Sequence, residues 1–146
     1  MFDADQDVDS RWQAISDRLR LMGFDPGPLN AGGVICHANI QGADFKVGVW
    51  LMPNNTDTGM LEDFLRDLIA EGDKLLPIAK DATRNALKTD PRFAAVHEPK
   101  AVIQTWLAWQ KNPGLPIGTA ITAHCFRHDT EVANAFVKWF RDLFGV

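Results

Sequence analysis

At 146 residues, about one domain in size, with 46% hydrophobic and 23% charged residues, the chain has the composition of an ordinary globular protein and not of a disordered or fibrous one. A formal net charge of −4 offers no overall basic surface to nucleic acid, so such binding would need a local patch or bridging metal ions. The acidic N-terminus lacks the basic region of a secretory signal, Cys36 and Cys125 lie far apart, and no apolar run reaches the roughly 20 residues that span a bilayer, so a reduced cytoplasmic protein outside the membrane is expected.

Met1-Phe2-Asp3-Ala4-Asp5 reads as the stub of a strand whose apolar body would lie upstream. Asp9 or Ser10 is the candidate cap of a first helix, because a short side-chain oxygen there accepts from the free N–H groups of the first turn. Trp12, Ile15, Leu19 and Met22 follow at helical spacing, and Gly23 ends the helix. Prolines and glycines make residues 24–33 a loop, in which Gly32-Gly33 lacks the lysine and hydroxyl of a phosphate-binding loop and reads as a turn. Two strands are expected, about 34–40 and 45–52, close enough for an antiparallel hairpin. The second becomes continuously apolar toward Met52, like a central strand covered on both faces, and stops at Pro53.

From Gly59 onward the spacing is helical. Leu61, Phe64, Leu65, Leu68 and Ile69 form one stripe, and Leu76, Ala79, Ala82, Thr83, Ala86 and Leu87 form another after Gly72. Residues 100–110 carry Val102, Trp106, Leu107 and Trp109; a proline and glycine break at 112–116 precedes a short helix near 117–123. A final helix from Asp129 or Thr130 is expected to bury Val132, Ala135, Phe136, Trp139, Phe140 and Leu143. No repeat or linker interrupts the chain, so one domain over 1–146 is expected, with a strand-and-helix part at 1–72 and a helical part at 73–146.

Asp3 and Asp5 stand two apart, so in an extended chain their carboxylates share a face. Paired carboxylates at a strand end suit Mg²⁺, which takes a few carboxylate oxygens, keeps waters and leaves positions for phosphate. The competing reading is a solvated acidic terminus in which Asp3, Asp5, Asp7 and Asp9 include one helix cap. Glu62-Asp63 opens a helix, where carboxylates favourably meet the positive end of the helix dipole. The functional alternative turns Glu62 toward the crevice of Asp3 and Asp5, with Asn54 and Asn55 orienting water or phosphate.

Phe2-Asp3-Ala4-Asp5 with Arg11-Trp12, the run from Val47 through Trp50-Leu51-Met52-Pro53-Asn54-Asn55, and Gly59-Met60-Leu61-Glu62-Asp63-Phe64 resemble a bacterial family of Toprim-like proteins of unknown function. Thr105-Trp106-Leu107-Ala108-Trp109-Gln110, Pro113-Gly114-Leu115-Pro116 and Val137-Lys138-Trp139-Phe140 extend the likeness over essentially the whole chain. The resemblance implies an α/β fold with a small sheet of about three strands flanked by helices and a helical C-terminal half. It also implies that Asp3 and Asp5 match the metal-binding acidic pair of Toprim domains, with Glu62 a downstream acidic ligand, for Mg²⁺ or Mn²⁺ in phosphodiester hydrolysis on nucleic acid. Toprim domains carry a further glutamate ahead of that pair, which is absent before Met1, and Asn54 stands where the family has an aspartate. An N-terminally truncated Toprim-like domain is therefore expected, with an exposed apolar sheet edge open to a second copy or to the missing N-terminal segment. The alternative function is a non-catalytic remnant or protein-binding module.

Other residues read more plainly. His124 and His128 have the spacing of metal ligands on one helical face, but the helix starting near Asp129 makes them straddle a boundary, which argues against a metal site there. Cys36 and His37 are strand neighbours facing opposite sides, so Cys36 reads as a buried thiol and not as half of a catalytic pair. Trp106 and Trp109, a candidate stacking platform for bases, read better as core.

Overall fold

The computed structural model describes residues 1–146 as a mixed α/β protein with short strands and six α-helices. In chain order these are β1 (Phe2–Asp3), α1 (Val8–Leu21), β2 (Val34–Ile40), β3 (Ala43–Val49), β4 (Leu51–Met52), α2 (Leu61–Asp67), α3 (Leu75–Thr89), a 3-10 turn (Ala95–His97), α4 (Glu98–Ala108), α5 (Ile117–Thr122) and α6 (Glu131–Phe144). Two compact units result, one of residues 1–64 with 129–146 and one of residues 65–128. α6, last in sequence, belongs to the unit that contains the strands. No helix is long and apolar enough to cross a membrane.

In the first unit, Asp7 caps α1 in place of the expected Asp9 or Ser10. Its backbone is extended, and its carboxylate accepts from the Ser10 N–H at 3.0 Å and the Ser10 hydroxyl at 2.6 Å. Ser10 is thus the donor to the cap, inside the first turn. These bonds, the hydroxyl one foremost, hold the Asp7 carboxyl below its ordinary value of 3.8. A depressed folded value means that the stabilisation is fully present above the unfolded value and disappears as pH falls through the folded one. Asp7→Ala is accordingly expected to lower Tm at neutral pH, with the gap to the parent protein closing in acid; paired thermal melts across the acidic range check it.

β2 and β3 form the expected hairpin, from Val34 opposite Val49 to Ile40 opposite Ala43. Gln41 and Gly42 both have positive φ, at 53° and 85°, the backbone that a two-residue type I′ turn needs to match the strand twist. The single strand expected over 45–52 is in fact two. β3 pairs antiparallel with β2 as far as Val49, and from Trp50, whose carbonyl accepts from the Phe2 N–H, the chain turns to β1, with which β4 pairs parallel, Phe2 opposite Leu51 and Asp3 opposite Met52. The hydrophobic run could not reveal this, because Val49, Trp50, Leu51 and Met52 are all buried whichever partner the backbone takes.

Alternation of side chains along this run divides the core of the first unit. Val49 and Leu51 join Val34, Cys36, Ala4, Leu19 and Phe24 in a cluster that Trp12 and Ile15 of α1 pack against. Trp50 instead meets Phe136 edge-on at 5.3 Å and Trp139 at 5.6 Å, both on α6. Lys46 of β3 donates to the carbonyls of Asp142 and Leu143, satisfying free acceptors at the C-terminal end of α6. Phe140, expected in the core, is 45% exposed and meets Phe144 at a tilt, ring centres 4.6 Å apart. The inward stripe of α6 is centred on Ala133, Phe136 and Trp139, and Phe140 falls off its edge.

The second unit is helical. Asp73 Oδ1 accepts from the N–H groups of Leu75 and Leu76 at 2.9 and 2.8 Å and from the Trp106 indole at 3.1 Å, which ties the start of α3 to α4. Arg84 and Glu98 pair at 2.9 Å across the same two helices. Trp106 is buried against Phe126, whereas Trp109 lies one residue past the end of α4 and is 41% exposed. The core expectation thus holds for Trp106 and fails for Trp109, since the helix that would have aligned them stops at Ala108.

Candidate functional site: the acidic strand ends

β1 and β4 run parallel, so Asp3, Ala4 and Asp5 emerge beside Met52, Pro53, Asn54 and Asn55 at the C-terminal ends of both strands. In open α/β sheets ligands bind beyond such ends. Ala4 points into the core while Asp3 and Asp5 stay on the solvent side. Asp5 has left φ space for extended strands, with φ 57°, and its backbone exchanges hydrogen bonds with Gly59 at 2.9 and 2.8 Å.

Each carboxylate has a separate partner. Asp3 Oδ1 accepts from the Leu61 N–H at 3.0 Å, which fastens the start of α2 to the end of β1. Asp5 forms an ion pair with Arg11 of α1. Asp63 Oδ2 accepts from the Met60 N–H at 3.0 Å. Glu62, on the first turn of α2, is only 8% exposed. Asp3 lines a cleft of about 350 Å³ with Met1, Phe2, Met52 and Leu61, and Asp5 lines a different one of about 310 Å³ with Arg11, Ser10 and Asp7; Glu62 lines neither.

Asn54 and Asn55 are occupied in the loop itself. Asn54 Oδ1 accepts from the backbone of Thr56 and Asp57 and from the Thr56 hydroxyl, closing an Asx turn. Asn55 is buried, accepts from the Leu51 N–H at 2.8 Å and donates to the Ala31 carbonyl at 3.2 Å. The expectation that these two orient water or phosphate gives way to loop closure, because their polar atoms satisfy backbone groups that the sharp turn after β4 leaves free.

A Mg²⁺ site built from Asp3, Asp5 and Glu62 needs carboxylate oxygens converging on one point. Asp3 and Asp5 line different clefts and Glu62 lines neither, and no group of three or more His, Cys, Asp or Glu is arranged to hold a metal ion. Elsewhere, Cys36 is buried with Sγ 3.7 Å from the Val47 carbonyl, and burial, with the nearby Asp25 charge second, pushes its thiol up. His37 lies exposed on the other face of β2, so the two form no dyad.

Fold and site together define a mixed α/β protein with acidic side chains at parallel strand ends. The chain belongs to the family described as "Protein of unknown function (DUF3226)", whose model matches residues 1–145. No curated protein and no solved structure matches it.

Proposed function

We propose that this protein is a Toprim-like module in which the acidic strand ends hold the fold together and the function is binding, not catalysis. The observation that carries this reading is the commitment of Asp3 to the start of α2 and of Asp5 to Arg11, in separate clefts. In this reading the acidic pair acts as a clamp. The contact surface is the free edge of β1, whose one strand neighbour is β4 and around which Met1 and Phe2 are 66% and 48% exposed. An open edge with apolar side chains invites strand pairing, and a second copy presents the same edge in self-complementary form.

A second reading, Mg²⁺- or Mn²⁺-dependent phosphodiester hydrolysis with Asp3, Asp5 and Glu62 as ligands and nucleic acid bound through the ion, draws on the parallel β1 and β4 pairing that sets the acidic pair beyond the strand ends. The ion would supply charge neutralisation at a phosphoryl oxygen.

Titration calorimetry with Mg²⁺ and Mn²⁺, and incubation with single- and double-stranded DNA and RNA in Mn²⁺, separate the two. The binding-module reading expects no heat and no cleavage, with Asp3→Ala costing about 0.5–2 kcal/mol as a lost cap. Binding abolished by Asp3→Ala and Asp5→Ala, together with cleavage that those changes remove, overturns it in favour of the second reading.

A further inference from the structure

α5 ends in a Schellman motif: the Cys125 N–H bonds to the Ala120 carbonyl at 3.0 Å and the His124 N–H to the Ile121 carbonyl at 3.1 Å. The residue between these bonds must take the left-handed conformation, and glycine normally fills it. α1 ends the same way with Gly23 there, at φ 89°. α5 uses His124 instead, at φ 57°. A side chain accepted at a glycine position directs attention to what that side chain does.

It reaches His128. The rings of His124 and His128 lie 5.0 Å apart with planes 30° from parallel, both exposed, although the intervening residues are not helical. His128 Nε2 sits 3.3 Å from the Ile121 carbonyl, the same oxygen that closes the turn. A carbonyl only accepts, so the contact is a hydrogen bond in the tautomer that protonates Nε2, which leaves the Nδ1 lone pair of the neutral ring bare. This is the arrangement of a metal-bound histidine, whose other ring N–H is held by a carbonyl that fixes tautomer and orientation.

Distance supports the same use. Zinc lies about 2.0–2.1 Å from an imidazole nitrogen; with roughly 1.1 Å more to the ring centre, two arms at a tetrahedral angle end roughly 5.2 Å apart.

We propose that His124 and His128 form a two-histidine site for a borderline divalent transition ion such as Zn²⁺, Ni²⁺ or Cu²⁺, completed by solvent. Imidazole suits these ions, whereas Mg²⁺ prefers oxygen. The site arises because the turn, not a helix, brings the rings together.

The test uses the whole chain. Calorimetry with Zn²⁺ is expected to show one equivalent bound, and the electron paramagnetic resonance spectrum with Cu²⁺ to show coupling to two imidazole nitrogens. His124→Gly is the informative variant, because glycine suits the backbone there: Tm is expected to hold or rise while Kd for Zn²⁺ rises about tenfold or more, at least what loss of an outer partner costs a metal ligand. His128→Ala should do the same to Kd. His37→Ala and His97→Ala should leave it unchanged. The proposal is overturned if the parent protein binds no Zn²⁺, if the two variants at 124 and 128 bind as it does, or if binding follows one of the controls.

Discussion

Trp139→Ala is expected to lower unfolding free energy by about 3–5 kcal/mol, the range for removing a large buried aromatic side chain. The indole lies 5.6 Å from Trp50 and 5.7 Å from Phe136, and its N–H donates to the Val34 carbonyl at 3.2 Å. Truncation therefore opens a cavity between α6 and the strands and also leaves the Val34 carbonyl without this donor, two penalties that add. Trp139→Phe keeps part of the ring packing and loses the donor, so a smaller loss is expected. Urea titrations measure both: the midpoint should fall in the order parent, Phe, Ala with similar slopes. A midpoint for Trp139→Ala within error of the parent would show that α6 does not hold the strands.

The second large effect comes from a residue with no side chain. Gly33 has φ 76°, and a Cβ there would lie 2.6 Å from Trp139 Cδ1, 2.9 Å from its Nε1 and 3.0 Å from Trp50 Cε3. Gly33→Ala combines left-handed strain with overpacking against two rings that have nowhere to go, each typically about 1–3 kcal/mol. A loss of about 2–5 kcal/mol is expected by the same titration. Gly32→Ala serves as the comparison, since its added Cβ would approach only the Asn30 side chain, at 3.2 Å. Equal losses at the two positions would mean that the penalty belongs to the turn in general and not to contact with the tryptophans.

Gly33 and Trp139 also show how far the sequence could be read. The glycine pair was legible as a turn, and Trp139 as an inward residue of the last helix, because both follow from local chemistry and helical spacing. Their contact spans more than a hundred positions and carries no local signal. The acidic strand ends behave similarly. Asp3 and Asp5 were legible as a pair of carboxylates on a strand end, yet whether they face one point depends on Leu61 and Arg11, which the fold brings to them separately. The histidines show the same dependence on the fold. Spacing set them across a helix boundary; both lie between α5 and α6, in a turn that brings residues four apart into contact as a helix would.

Sequence alone determined the α/β class, the hairpin over β2 and β3, the helical character after Gly59 and membership in a family of unknown function, since each rests on periodicity, turn chemistry or a continuous string of residues. Tertiary structure alone decided that the apolar run 45–52 splits between two sheets, that α6 returns to cover Trp50, and that the carboxylates of Asp3 and Asp5 go to different partners. The reason is physical. Hydrophobic burial records that a residue is inside but not what lies against it, and a carboxylate's role is set by whichever donor the fold delivers to it.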